Sequence, residues 1–472
     1  MHTIDNDYFD SEEFRDILSS YEAAAASGEE GFMDAEDLID VADYYRMNGD
    51  DAKAHEVAET AHENNPAATL PNIFLAREAL FDGDVELAKE YVASMEESDS
   101  IEYAFIQAEV LIAQELDDEA DVLLRSAFRA AEPDQYEDFV MDAANMYLDY
   151  GMNEKAYEWM MRSKGNDSRE FRELMARTLF GLGKYKDCER LFNELIDQDP
   201  YSVAYWNSLA SAQFMLDDFS GAVTSSEYAM AIDPEDTESI INKANALYRL
   251  SNYEEAINYY ERYMRLVPND AFCLMHEGAC YVNLERYDDA LGVLQRAADA
   301  ASGDSEMLIM VYQEIGFCYG SMGRVEEALA TFDKLLKLDC DKTEVNVMRG
   351  HVLLQNERIR EAEEEFRSAM SHADYSPSVI LRIMVSLYDN KYVEASYNMF
   401  KHFFSVLSDF KDGYSYMALC CWDMGHKEEF LMYLRLAVER NPREARLVLG
   451  HLFPEGMAAK EYYDYMYKRM KA

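Results

Sequence analysis

Three prolines, Pro200, Pro234 and Pro268, close the segments "IDQDP", "AIDP" and "RLVP", and each stands 34 residues after the last. A fixed period of this length is the strongest constraint on the fold. A unit that short cannot bury its apolar face alone, so it must stack on copies of itself. In "NKANALYRLSNYEEAINYY", Asn242 to Tyr260, two alanines stand twelve apart, Ala244 and Ala256, on what reads as a helix pair. Where two helices cross closely, a side chain larger than methyl pushes the axes apart. The alanines are therefore expected at helix–helix contacts, with Tyr260 packed inside and Tyr248 pointing outward.

With Val203 as position 1, the unit ending near Pro234 shows Trp206 at position 4, Leu209 at 7, Ala210 at 8, Ala222 at 20, Ala229 at 27 and Pro234 at 32. This pattern resembles the tetratricopeptide repeat (TPR), although Gln213 and Ser226 replace aromatics at positions 11 and 24. The frame predicts units starting at Ala35, Thr69, Ile101, Glu137, Arg169, Val203, Thr237, Ala271, Ile309, Thr343, Ser376 and Lys411. Position 8 is Ala or Gly in every unit except one, which has Ile383. Position 20 is Ala, from Ala54 through Ala395, except at Cys188 and Phe430.

The resemblance implies an all-α fold, a right-handed α-solenoid of about twelve helix-turn-helix units. "MGR" (Met322–Arg324) and "YGM" (Tyr150–Met152) offer glycine where a first helix ends, as a left-handed C-cap needs. Residues 1–34 are expected to form an N-terminal cap, with Phe14, Ile17, Leu18 and Tyr21 on one face, Asp10 as N-cap and Glu13 three residues on. Acidic units one to four fill 35–168, units five to eight 169–302, units nine to twelve 303–442, and capping helices 443–472. Insertions at "ADAASGDSEM" (Ala298–Met307) and "SKGNDS" (Ser163–Ser168) are expected hinges. The layout is similar to that of bacterial TPR arrays, a likeness that implies no activity.

Charge narrows the function. Carboxylates outnumber basic residues 93 to 43, a net charge of -50. Nucleic-acid binding is not expected of such a surface, because it lacks the cations that replace counterions along phosphates. Residues 1–150 hold 40 acids and 7 bases, whereas 401–472 hold 10 and 11. The acidic third would steer a basic partner, or simply keep a long array soluble. The opening "MHTIDNDYFDSEEF" shows neither a basic segment nor an apolar core, and no apolar run approaches a membrane span. Seven cysteines without a CxxC pair fit a reducing compartment. The expected location is the cytoplasm.

No nucleotide-binding, zinc-protease, kinase or calcium motif is present in the sequence, and repeats with caps leave no room for a catalytic domain. No enzyme activity, cofactor or metal is expected. His55, Glu59 and His62 share a helical face, but two histidines on an acidic helix read more simply as solvated.

In the TPR family, positions 2, 5, 6, 9, 12 and 13 of the first helix line the concave face. Carried over, they name Asn207, Phe214, Asn242, Asn245, Tyr248, Phe272, Met275, His276, Asn283, Phe317 and His351 as a candidate peptide groove. Asparagine amides both donate and accept, so they can hold an extended backbone, while the aromatics and methionines offer adaptable apolar pockets. The bland alternative is that the asparagines satisfy one another between helices or are solvated. The family's chaperone-tail clamp is disfavoured, since only Asn245 of Ile241, Asn245, His276, Met310 and Glu314 fits it. The expected function is a non-enzymatic protein-interaction scaffold binding a peptide or helix of a partner. The alternative is a self-associating array, a homo-oligomer through its apolar C-terminal units, whose groove positions include Ile380, Leu381, Leu387, Tyr388, Tyr416, Leu419 and Trp422.

Overall fold

The computed structural model describes residues 6–9, 11–27, 33–96, 100–163, 165–406, 412–454 and 456–471, and every regular element in them is helical. Twelve helix pairs follow one another. Their first helices are Ala35–Met47, Thr69–Phe81, Ile101–Ala113, Tyr136–Asp149, Arg169–Gly181, Val203–Met215, Thr237–Arg249, Ala271–Asn283, Ser305–Ser321, Lys342–Gln355, Pro377–Asp389 and Tyr414–Asp423. Seven of these begin at the residue the repeat frame names. Lys411, the expected start of repeat twelve, lies outside the described residues, as does Asp10.

Local chemistry sets these boundaries. Ser100, Ser168, Ser202, Asp236, Asp270, Asp304 and Asp341 precede first helices, and each side chain accepts a hydrogen bond from a backbone N–H of the first turn. Such caps satisfy donors that a helix start leaves open. The first helix then ends at one left-handed residue per repeat: Gly49, Gly83, Glu115, Gly151, Gly183, Asp217, Ser251, Glu285, Gly323, Glu357, Lys391 and Gly425. The expected caps at Gly151 and Gly323 are among them. Half of the twelve are not glycine, so repeat geometry imposes the conformation even on residues that pay for it sterically.

The crossings are as close as the small residues require. Ala42, Ala76, Ala108, Ala144, Ala176, Ala210, Ala244 and Ala418 at position 8 are all buried. Gly278, Gly316 and Gly350 take this place where the facing side chain is bulky. A Cβ added to them would stand 2.5 Å from Leu294, 2.4 Å from Phe332 and 2.3 Å from Phe366 respectively.

Repeat eleven corrects the expected frame. Its helix starts at Pro377 and its left-handed residue is Lys391, so every position falls one residue later than predicted. Met384 replaces Ile383 at position 8, and buried Ser396 rather than exposed Ala395 makes the contact, donating to the Met384 carbonyl at 2.8 Å. The proline at the helix start, permitted because its missing N–H has no partner there anyway, takes position 1 and not position 2. The 38-residue interval before repeat nine goes into a longer first helix, 17 residues from Ser305.

The chain divides into two compact units, Met1–Asp218 and Phe219–Ala472, with the division inside repeat six. The first unit opens with helices Asn6–Phe9 and Glu12–Ser27, the latter begun by Ser11, whose Oγ accepts the Phe14 N–H. Phe14 enters a core with Leu38, Val41, Ala42, Ala58 and Phe74, while Ile17, Leu18 and Tyr21 pack around it. The second unit closes with helices Pro442–Leu449 and Tyr462–Lys471. Leu449, Phe453, Tyr462 and Met466 share one core with Ile380, Met384, Leu419, Phe430 and Leu434, and the Phe453 and Tyr462 rings stack at 3.8 Å.

Candidate functional site

Nine of the eleven candidate residues lie in the second unit, on the first helices of repeats seven to ten. Asn207, buried, and Phe214, half-buried, lie on the first helix of repeat six, in the first unit. The nine do not form one uniform surface.

Asn245 is half-buried, and its Oδ1 accepts the Tyr260 hydroxyl at 2.8 Å. Tyr260 is fully buried, as expected, and burial pushes its hydroxyl well above the ordinary tyrosine range. This asparagine thus satisfies a phenol that its own repeat buries, which fits the architectural alternative. Asn283 donates to its own helix at the Ala279 carbonyl, 2.8 Å away, and hydrogen-bonds the Tyr248 hydroxyl. Asn242 is half-buried. Met275 is a core residue, 5% exposed, packed with Leu274, Val293 and Val311, so it is not available as a groove pocket.

What remains is an aromatic and histidine row. Tyr248 does not simply point outward. It is half-buried, with its ring 5.7 Å from Tyr253 and 5.8 Å from His276, both edge-on. Its hydroxyl is raised by burial and by the nearby Glu314 carboxylate. Phe272 is 40% exposed and lies over His276, ring centroids 4.0 Å apart, and His276 Nδ1 stands 3.0 Å from the Phe272 carbonyl. One repeat further on, Glu314 is a half-buried carboxyl that burial raises above its usual range. Next, Phe317 meets His351 edge-on at 5.8 Å, and His351 Nδ1 contacts Ser386 Oγ at 3.0 Å and Asn390 Nδ2 at 3.3 Å. Burial lowers both histidines, since charge is disfavoured away from water, so both are neutral rings at neutral pH.

Ser386 and Asn390 escaped the sequence reading because they occupy none of the concave positions and contact His351 from the next repeat. The C-terminal groove positions expected to be apolar are largely enclosed. Leu381, Tyr388, Tyr416 and Trp422 pack against the core that the terminal helices complete, although Tyr388 also donates to Asp423 at 2.6 Å.

In the first unit, much of the acidic face is internally engaged. Tyr8 donates to Asp40 at 2.7 Å, Asp43 pairs with Arg46, and Arg46 lies 3.8 Å over the Phe74 ring. Arg77 holds buried Glu109 through both carboxylate oxygens, at 2.8 to 3.2 Å. His55 contacts Glu78 at 2.7 Å and Glu59 at 3.5 Å, while His62 turns its ring to Tyr91. All seven cysteines are free thiols. Six are buried, which raises their pKa, Cys188, Cys280, Cys318 and Cys421 to about 12.

Stacked helix pairs with small residues at each crossing and a left-handed turn in each repeat define an all-α solenoid of the helix-repeat class. Models described as "Tetratricopeptide repeat" match residues 174–237 and 311–341, and one described as "Anaphase-promoting complex, cyclosome, subunit 3" matches 215–297. The chain is a TPR-array protein. No curated protein matches the sequence. Among solved structures, MamA from Desulfovibrio magneticus RS-1 is 19% identical, with 37% of this chain and 96% of that one covered and a TM-score of 0.35. A tetratricopeptide repeat protein from Parabacteroides merdae is 15% identical over 54% and 99%, TM-score 0.43. YrrB, described as a TPR protein with an unusual peptide-binding site, is 21% identical over 42% and 97%, TM-score 0.34. TPR arrays are in general non-enzymatic protein-interaction scaffolds. No helix among the described residues is long and apolar enough to cross a membrane.

Proposed function

We propose that the second unit binds a segment of a partner protein, as an extended peptide or a helix, along the first helices of repeats seven to ten. The observation that supports this is Phe272, a large ring left 40% exposed on top of a neutral histidine in an otherwise packed repeat. Tyr248, His276, Phe317 and His351 continue the same row, with Glu314 between the two histidines along the chain. Half-buried rings supply contact area at small entropic cost, which is the usual character of binding anchors. The asparagines contribute less than their pattern suggests, since Asn245 and Asn283 are committed to internal bonds. Self-association through repeats eleven and twelve draws no comparable support, because those apolar side chains pack with the chain's own terminal helices.

Selection from a random peptide library on the purified protein, followed by affinity measurement, tests this reading. Binders should weaken roughly tenfold or more in Phe272→Ala, as loss of an interfacial anchor does. Melting temperature and helicity should stay unchanged. Selected peptides that bind Phe272→Ala and His351→Ala as tightly as the parent protein would overturn it.

A further inference from the structure

Position 7 of the first helix, ordinarily apolar, carries a charge in several repeats of the second unit. In repeat seven it is Lys243, whose ammonium contacts Glu227 of the preceding helix at 2.6 Å and Tyr259 at 2.8 Å. In repeat ten it is Arg349, which contacts Asp333 of the preceding helix at 2.6 Å and Glu365 at 2.9 Å. Each junction thus joins a cation, buried at Lys243 and half-buried at Arg349, to a carboxylate of the repeat before. Repeat eight keeps the carboxylate, Glu261 on Tyr253–Leu266, but the buried partner is itself an acid, Glu277. Glu277 is 4% exposed, and its Oε2 has no hydrogen-bond partner among the described residues.

We propose that repeat eight is a pH-sensitive joint of the second unit: its helices close over Glu277 when that carboxyl holds a proton, and loosen when it ionises against Glu261. The cost of ionising there follows from taking a charge out of water beside a like charge. Desolvation and Glu261 raise the Glu277 pKa to about 7, opposed incompletely by Arg296 on Tyr287–Ala300. On the same helix, Cys273, Cys280 and Tyr281 are raised in part by Glu277 and so hold their protons through this range. From Ser305–Ser321, Glu314 acts instead on Tyr248 and Cys318. The folded state keeps the Glu277 proton to higher pH than the unfolded chain, which loses it near 4.5. Stability from this site is therefore complete below about 4.5, declines as pH rises to about 7, and is level above that. His276 and Phe272 of the candidate row lie on the same helix, so the joint adjoins the face proposed to bind.

Thermal melts of the full chain at pH 5.5, 6.5, 7.5 and 8.5, together with hydrogen exchange corrected for its intrinsic pH dependence, test the joint. Glu277→Gln should melt above the wild type by a margin that grows from pH 5.5 to 7.5 and then stays constant. Peptides covering Ala271–Ala300 should lose protection in the wild type over that range but not in the variant. Glu261→Gln, a change at an exposed position, should move the wild-type transition to lower pH and reduce its amplitude, because without the like charge Glu277 ionises more readily. A margin that is independent of pH, or exchange in Ala271–Ala300 that does not respond to pH, would overturn the proposal.

Discussion

At the scale of single residues, sterics decide more than chemistry does. Gly316 faces Phe332 so closely that a methyl group must displace the ring. Gly316→Ala should therefore destabilise by up to about 2 kcal/mol in urea unfolding, the overpacking penalty of about 1–3 kcal/mol less about 1 kcal/mol gained in helix propensity. Adding Phe332→Leu should recover part of that loss. Glu285 carries φ +57°, so Glu285→Gly should stabilise by about 0.5 kcal/mol, relief of left-handed strain less the added chain entropy, read in the same urea unfolding. The alanines were legible in the sequence because a spacing of twelve has one physical cause. Met275 and Asn245 were not, because the concave-face rule assigns an orientation to a helix position but cannot say how deeply a neighbouring repeat covers it.

At the scale of helices and their junctions, buried charge among the described residues is answered at Glu109 and Lys243 but not at Glu277. Arg77 forks onto Glu109 across adjacent first helices, and Glu109 is 7% exposed. Arg77→Ala should cost about 2–3 kcal/mol by leaving that carboxylate unpaired, slightly below the range for fully buried pairs because Arg77 itself is partly exposed. Arg77→Ala/Glu109→Gln should lose less than the single change, a sign of coupling that a double-mutant cycle measures. Helix starts were readable from Ser and Asp caps, and seven first helices begin where the repeat frame puts them. Repeat eleven slipped by one residue because "SPS" offers two serines around its proline, and the backbone angle at Lys391 with the burial of Ser396 distinguishes the two registers.

At the scale of the whole molecule, the acidic excess is the dominant property. Raising sodium chloride from 10 to 150 mM shortens the reach of repulsion from about 30 Å to about 8 Å, so the melting temperature should rise with salt. Protection measured by hydrogen exchange should improve more in Met1–Asp218, which holds most of the excess, than in Phe219–Ala472. The array could be read from the sequence nearly from end to end, whereas the candidate row could be read only as a list of positions to be sorted by burial. The left-handed residue that recurs at the same place in every pair also makes the chain modular in the genetic sense. Cutting after Gly323 and rejoining after Glu357 excises 34 residues while leaving a left-handed residue at the seam. Duplication or loss of one such cassette is thus the smallest change of length that keeps every turn in register, which makes whole-repeat gain and loss the natural route by which arrays of this kind lengthen, shorten and acquire new faces.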